Sequence, residues 1–201
     1  MERKYGALIG VRKAQTPFNK PGIPEQILPP ENVNWRMDDN NKFGDCTIAA
    51  VDHVTAAWNM KYNLTLPRLS DPELLHDYFH LTGGTDTGLA PQTVMSAWEH
   101  TRIFGYAIKN ASSVTPQSLK SAIADSGVAY LAVSLPDTAE QQFAAGLPWR
   151  VVSGASIVGG HAIVGVGYDP DFVYIVTWGK IQKVTYNWLD TYLAETWFLT
   201  L

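Results

Sequence analysis

The chain has 201 residues, 46% of them hydrophobic, with a formal net charge of -4 and a pI near 5.7. That length builds one domain with a sizeable core, or at most two small lobes sharing a cleft. The acidic balance, with no basic run longer than Arg3-Lys4 or Arg12-Lys13, excludes a nucleic-acid footprint, and no apolar run approaches the roughly 18 residues of a membrane span.

Residues 1–34 carry Pro17, Pro21, Pro24, Pro29 and Pro30 without sustained periodicity, which predicts an extended N-terminal arm strapped across a domain of residues 35–201. The apolar run at residues 7–11 is too short for a signal-peptide core, so no signal peptide is expected. From Cys46 the pattern turns helical. Ile48, Val51, Val54, Thr55 and Trp58 recur at three- and four-residue spacing, predicting a buried stripe that runs to about residue 60. Ser70-Asp71-Pro72-Glu73 has the form of a capping box and opens a second helix over about 74–81, which Gly83-Gly84 ends. Pro91 starts a third, with Val94, Ala97, Trp98 and Thr101 on one face and Gly105 as its stop.

Thr115-Pro116 caps a fourth helix through Leu119, Ala122 and Ile123 to Gly127, and residues 128–135 read as a strand buried on both faces. Residues 136–160 form a long connection rich in Gly, Ala and Ser, of the kind that serves as a lid or binding wall. Two β-runs, 161–168 and 173–178, flank Asp169-Pro170-Asp171-Phe172 and predict an antiparallel hairpin. A helix near 186–194 and a strand near 196–199 finish the chain. Tyr186, Trp188, Tyr192, Trp197 and Phe198 are expected to be packing residues. Helices first and antiparallel strands second make an α+β pattern.

Cys46 is the sole cysteine, so no internal disulfide forms. A lone cysteine is by default a small buried hydrophobe. At a helix start, though, unpaired amides and the dipole lower a thiol from about 8.5 to about 3.5–7.5 and make a nucleophile. Such a nucleophile needs a base. His53 lies seven residues further along the same helix, about 10 Å away along the axis and out of reach. His76 and His80 share a face but lack a third ligand, so no metal is expected. His100 sits in the charged stretch Glu99-His100-Thr101-Arg102 and reads as solvated. His161 follows Gly159-Gly160 and opens an apolar strand, as a histidine at a cleft edge would.

The order Asn34-Trp35-Arg36, Gly44-Asp45-Cys46 at a helix start, Gly160-His161-Ala162 leading into Val166-Gly167-Tyr168, and then Thr177-Trp178-Gly179 resembles the papain-like cysteine hydrolases over about residues 34–201. The Gly-Gly-His-Ala and Val-Thr-Trp-Gly segments resemble bacterial and phage members. The resemblance implies a helical lobe carrying the cysteine helix, packed against an antiparallel β lobe carrying the histidine. It implies Cys46 as nucleophile, His161 as general base and then acid, and an oxyanion site made by the Cys46 N–H and the side-chain amide of Asn40, or of Asn41 beside it. The asparagine that orients the histidine in that family falls on Val176, which has no polar group. If paired residue numbers in the hairpin sum to 340, Thr177 shares the face of His161; at 341, Val176 and Trp178 do. The Thr177 hydroxyl or a backbone carbonyl then orients the ring, or the site runs as a dyad. Trp178 and Trp149 are expected as cleft walls.

The activity so implied is cleavage of a peptide or amide bond through a Cys46 thioester, with no cofactor. Alternatives on the same site are a cell-wall amidase or a transferase. The missing asparagine also motivates a binding or virion structural protein without turnover. A peptide or amide substrate, a protein partner docking through the arm, and a cytoplasmic or virion-associated setting complete the expectation, with neither nucleic acid nor membrane as partner.

Overall fold

Small residues decide how deeply the first helix sits. The helix α1 (Cys46–Tyr62) is buried at every position from Cys46 to Trp58, well beyond a single stripe. Ala49, Ala50, Ala56 and Ala57 line its other faces, so neighbouring chain closes on it from all sides. It ends at Asn63, whose φ of 51° is the left-handed conformation that asparagine tolerates. In this computed structural model the described residues are Ala7 and residues 22–101, 110–113 and 118–201. Most of the predicted arm, the Gly105 stop, the Thr115-Pro116 cap and the His100 side chain lie outside them.

The capping box opens α2 (Asp71–Leu81), the Glu73 carboxylate accepting the Ser70 N–H at 2.8 Å and its hydroxyl at 2.7 Å. Next come α3 (Pro91–Thr101), β1 (Asn110–Ser113) and α4 (Leu119–Ser126), which Gly127 terminates at a φ of 85°. The strand β2 (Ala129–Pro136) is buried on both faces: Tyr130 packs with α1, Leu131 and Val133 on the opposite side. The remaining elements are α5 (Asp137–Ala144), β3 (Ile157–Tyr168), β4 (Phe172–Thr177), β5 (Lys180–Thr185), α6 (Tyr186–Tyr192) and β6 (Leu193–Thr200).

Several of these correct the sequence-based expectation. Residues 136–160 are not one loop: they hold α5 and the first turn-free residues of β3, and α5 buries only Ala139, so it carries no apolar stripe to betray it. The strands β1 and β5 have polar, unalternating sequences because they lie at the two edges of the sheet. The last helix stops at Tyr192, and the final strand begins at Leu193.

Among the described residues six strands pair antiparallel in the order β1-β6-β2-β3-β4-β5. One core fills the space between α1–α3 and the sheet, with Ile48, Val54, Trp58 and Trp98 against Tyr130, Val164 and Val176. A second lies on the other face, where Ile123 of α4 and Trp188 of α6 meet Leu131, Ile163 and Ile175. Polar ties hold α1 in place: its Trp58 indole donates to the Ser126 carbonyl at the end of α4 at 2.9 Å, and the Tyr130 hydroxyl of β2 donates to its Thr47 carbonyl at 3.0 Å.

Residues 24–29 run along the end of β3. Ile27 and Tyr168 exchange backbone hydrogen bonds of 2.8 and 2.6 Å, and the Tyr168 hydroxyl donates to the Pro24 carbonyl. This path requires glycine at 167, where a Cβ would stand 2.6 Å from the Ile27 oxygen and 2.7 Å from the Pro29 nitrogen. Gly167→Ala is expected to destabilise the fold by about 1–3 kcal/mol, the usual cost of overpacking. A lowered urea midpoint, together with new proteolytic cuts near residues 24–30, would show it. Unchanged values for both would mean that the strap yields without cost.

Candidate active site

Cys46 is positioned by the turn that precedes it. Asp38 and Asp39 both take positive φ, 54° and 58°, and the chain then folds back through Asn40 N–H to Met37 O (3.1 Å) and Lys42 N–H to Asp39 O (2.7 Å). The Asp45 carbonyl accepts from Ile48 and Ala49 at 2.8 and 3.0 Å, which places Cys46 in the first turn of α1. The turn is anchored from the α2–α3 connection. Asp86 accepts from the Gly44 N–H at 2.9 Å and from the Tyr78 hydroxyl at 2.7 Å, and that hydroxyl in turn accepts from the Gly88 N–H. Burial and the Asp86 carboxylate hold the Tyr78 phenol well above its ordinary pKa, so it stays a donor.

An ion-pair cluster fixes the segment upstream of this turn against α1. Asp52 takes Arg36 at 2.7 Å and the Arg68 guanidinium through both oxygens. Burial opposes its ionisation, but the Arg68 hydrogen bonds and the two cations hold it below the ordinary carboxylate range. Asp38 is pushed up to about 8 by burial and by the Asp52 charge. His53, its pKa lowered by burial, donates from Nε2 to the Arg36 carbonyl at 2.9 Å. Its ring belongs to this cluster and does not serve the cysteine.

The histidine comes from β3. Val164 pairs with Val176 and Gly165 with Ile175, the register in which Thr177 shares the face of His161; a bulge near Val166 shifts the pairing by one residue beyond it. The His161 Nε2 lies 2.8 Å from Thr177 Oγ1. Val176 points the other way, into the core beneath α1. Trp178 stacks on the imidazole with ring centroids 4.8 Å apart and planes 25° apart. The backbone there is a tight turn, with φ of 47° at Trp178 and 72° at Gly179, and a side chain at 179 would meet the Trp35–Met37 backbone at 3.2 Å. Phe143 of α5 holds Trp178 edge to face at 5.0 Å.

The two halves meet at the sulfur. The N–H of Ala162, the residue after His161, donates to Cys46 Sγ at 3.4 Å. Cys46 and His161 are each 1% exposed. Ala7 lies beside this junction, its N–H donating to the Gly160 carbonyl at 3.0 Å and its backbone bridging to Leu89 in parallel.

His161, Thr177 and Trp178 therefore converge, and the Cys46 sulfur meets the strand of His161 at the Ala162 N–H. Trp149 does not join them: it is wholly buried behind Trp178, 4.7 Å from the Trp188 ring, and forms no cleft wall. Its backbone pairs with β5, donating to Lys183 O and accepting from Thr185, which draws residues 147–149 down onto the sheet. Asn40 is buried near the sulfur's helix, its Nδ2 donating to Asp45 Oδ1 at 3.0 Å and to Phe43 O at 3.3 Å. Asn41 neighbours it with intermediate burial. Asp45, Asp86 and Phe143 were not singled out from sequence; only Asp45, adjacent to the cysteine, carried a signal that could have flagged it. Among the described residues, no cluster of three or more His, Cys, Asp or Glu could hold a metal, and no helix is long and apolar enough to cross a membrane.

The chain has the papain-like cysteine protease fold. Xylellain, a cysteine protease from Xylella fastidiosa, superposes with a TM-score of 0.76 at 15% identity, over 100% of this chain and 98% of that one. Procathepsin B S9 from Trypanosoma congolense gives 0.67 at 13% identity, over 98% and 86%. The Carica candamarcensis cysteine protease CMS1MS2, solved in complex with E-64, gives 0.57 at 17% identity, over 89% and 99%. No family model and no curated protein sequence matches the chain.

Proposed function

We propose that the chain is a cysteine peptidase or amidohydrolase that cleaves a peptide or amide bond by way of a Cys46 thioester. The observation that carries the reading is the junction of Cys46 Sγ with the residue following His161, while Thr177 occupies the Nε2 edge of the same ring. Nδ1 is then the nitrogen that exchanges a proton with sulfur, and the imidazolium donates Nε2–H to the threonine oxygen. The thiolate attacks the carbonyl carbon, and the oxyanion forms against the Cys46 N–H and the Asn40 amide. Nδ1–H passes to the departing amine as the C–N bond breaks. Water then attacks the thioester, gives its proton to His161, and frees the acid with the thiol restored.

The test is capture of the thioester. The protein is mixed with activated esters of N-acyl amino acids, quenched in acid and digested. The expected product is the Cys46 peptide carrying the acyl mass, absent from Cys46→Ala and turned over on longer incubation. An acyl adduct that forms once and never hydrolyses favours the second reading, a binding protein without turnover, which the apolar Val176 and the neutral Thr177 at the histidine motivate. Absence of any adduct overturns both the peptidase and the amidase assignments.

A further inference from the structure

Asn40 and Asp45 occupy each other. The Asn40 Nδ2 has two acceptors, Asp45 Oδ1 at 3.0 Å and Phe43 O at 3.3 Å, and these account for the two N–H groups of a primary amide. Both side chains are buried, Asn40 at 3% and Asp45 at 0% exposed, and the second carboxyl oxygen of Asp45 has no hydrogen-bond partner among the described residues. A carboxylate in that setting sits one residue before the nucleophile and claims the donor that an oxyanion would need.

We propose that Asp45 is a positioning residue that, as a carboxylate, holds the Asn40 amide away from the oxyanion position and, on protonation, releases it. The proposal rests on the reading of Cys46 as nucleophile and Asn40 as oxyanion donor. A charged acceptor binds an N–H roughly twice as strongly as a neutral one, so the grip weakens when the carboxyl takes up a proton. Protonation also removes a negative charge from beside the developing oxyanion.

The surroundings place that protonation in an accessible range. Burial is the main influence on Asp45 and raises it to about 7; the Asn40 hydrogen bond works in the opposite direction. The charged groups that face it are carboxylates: Asp39 from the same turn, and Asp86 from the α2–α3 connection, each raising it further. Lys42 is drawn onto Asp39 at 2.6 Å. The sign follows directly. Below about pH 7 Asp45 is neutral and Asn40 is released, and above it the carboxylate reclaims the amide.

Two reactions of the full chain separate this device from the nucleophile. Alkylation by iodoacetamide needs the thiolate but no oxyanion site, whereas acylation by an activated ester needs both. The ratio of acylation to alkylation is measured from pH 5 to 9. It is expected to fall about tenfold between pH 6 and 8, as one group with a pKa near 7 loses its proton. Asp45→Asn, which keeps the shape and cannot ionise, makes the ratio independent of pH. Asn40→Ala makes it low throughout, by about 10² to 10³, the usual loss of one oxyanion donor. Asp86→Asn, further from the sulfur, moves the midpoint of the fall to lower pH.

A ratio that is flat in the unaltered protein overturns the proposal without recourse to any variant, as does a fall that persists in Asp45→Asn. Alkylation that shows no ionised thiol at low pH overturns the nucleophile reading itself, and the two failures are distinguishable because that profile is recorded separately.

Discussion

Removing the imidazole at position 161 is expected to turn alkylation of Cys46 from a reaction nearly independent of pH between 5 and 8 into one that rises about tenfold per pH unit toward 8.5. The shape of the profile, and not the rate at one pH, is the measurement. A thiolate stabilised by a partner is a weaker nucleophile than one formed at high pKa, and that loss offsets part of its greater abundance. The slope is free of this compensation. His161 adjoins Ala162, whose N–H donates to the sulfur, whereas His53 is bound to the Arg36 carbonyl, and His76 and His80 stack on each other on α2. If His161→Ala leaves the profile flat, the helix terminus alone ionises the thiol and the base must be sought elsewhere. If the unaltered protein already rises tenfold per unit, Cys46 is an ordinary buried thiol.

That residue pair was legible because each partner carries a local backbone signal. Cys46 stands where polar turn residues give way to helical periodicity, and His161 where paired glycines give way to an apolar strand. Thr177 was legible as one of two alternatives, since a strand alternates faces and only the register was open. What escaped notice has physical reasons. The helix α5 buries a single alanine, so no stripe announces it. The strand β5 is an edge with lysines at both Lys180 and Lys183, and without it residues 147–149 read as open loop. Trp149 therefore looked like a cleft wall, although pairing with β5 draws it into the core. The tie between Asn40 and Asp45 joins residues five apart across an irregular turn that follows two positive φ angles, at Asp38 and Asp39, a path that no helical or strand periodicity encodes.

The loss expected from Thr177→Val is about 10² to 10⁴ in kcat/KM, the contribution of a well-placed general acid and base. Valine matches threonine in shape and replaces only the hydroxyl, so the packing beneath Trp178 is retained. What it removes is the acceptor 2.8 Å from His161 Nε2, in a place closed to solvent. An N–H left buried there without an acceptor costs about 1–3 kcal/mol, and the cost is larger for the charged ring than for the neutral one. The imidazolium is therefore disfavoured, and with it the thiolate it accompanies. Two consequences separate this from loss of folding. The alkylation profile of Thr177→Val shifts to higher pH while its urea midpoint moves little, and Thr177→Ser, which restores the hydroxyl without the methyl, recovers most of the rate. Equal loss in both variants, or a valine variant with the original profile, would show that threonine does not orient the ring. The site would then operate as a dyad whose ring is held by the stacked face of Trp178.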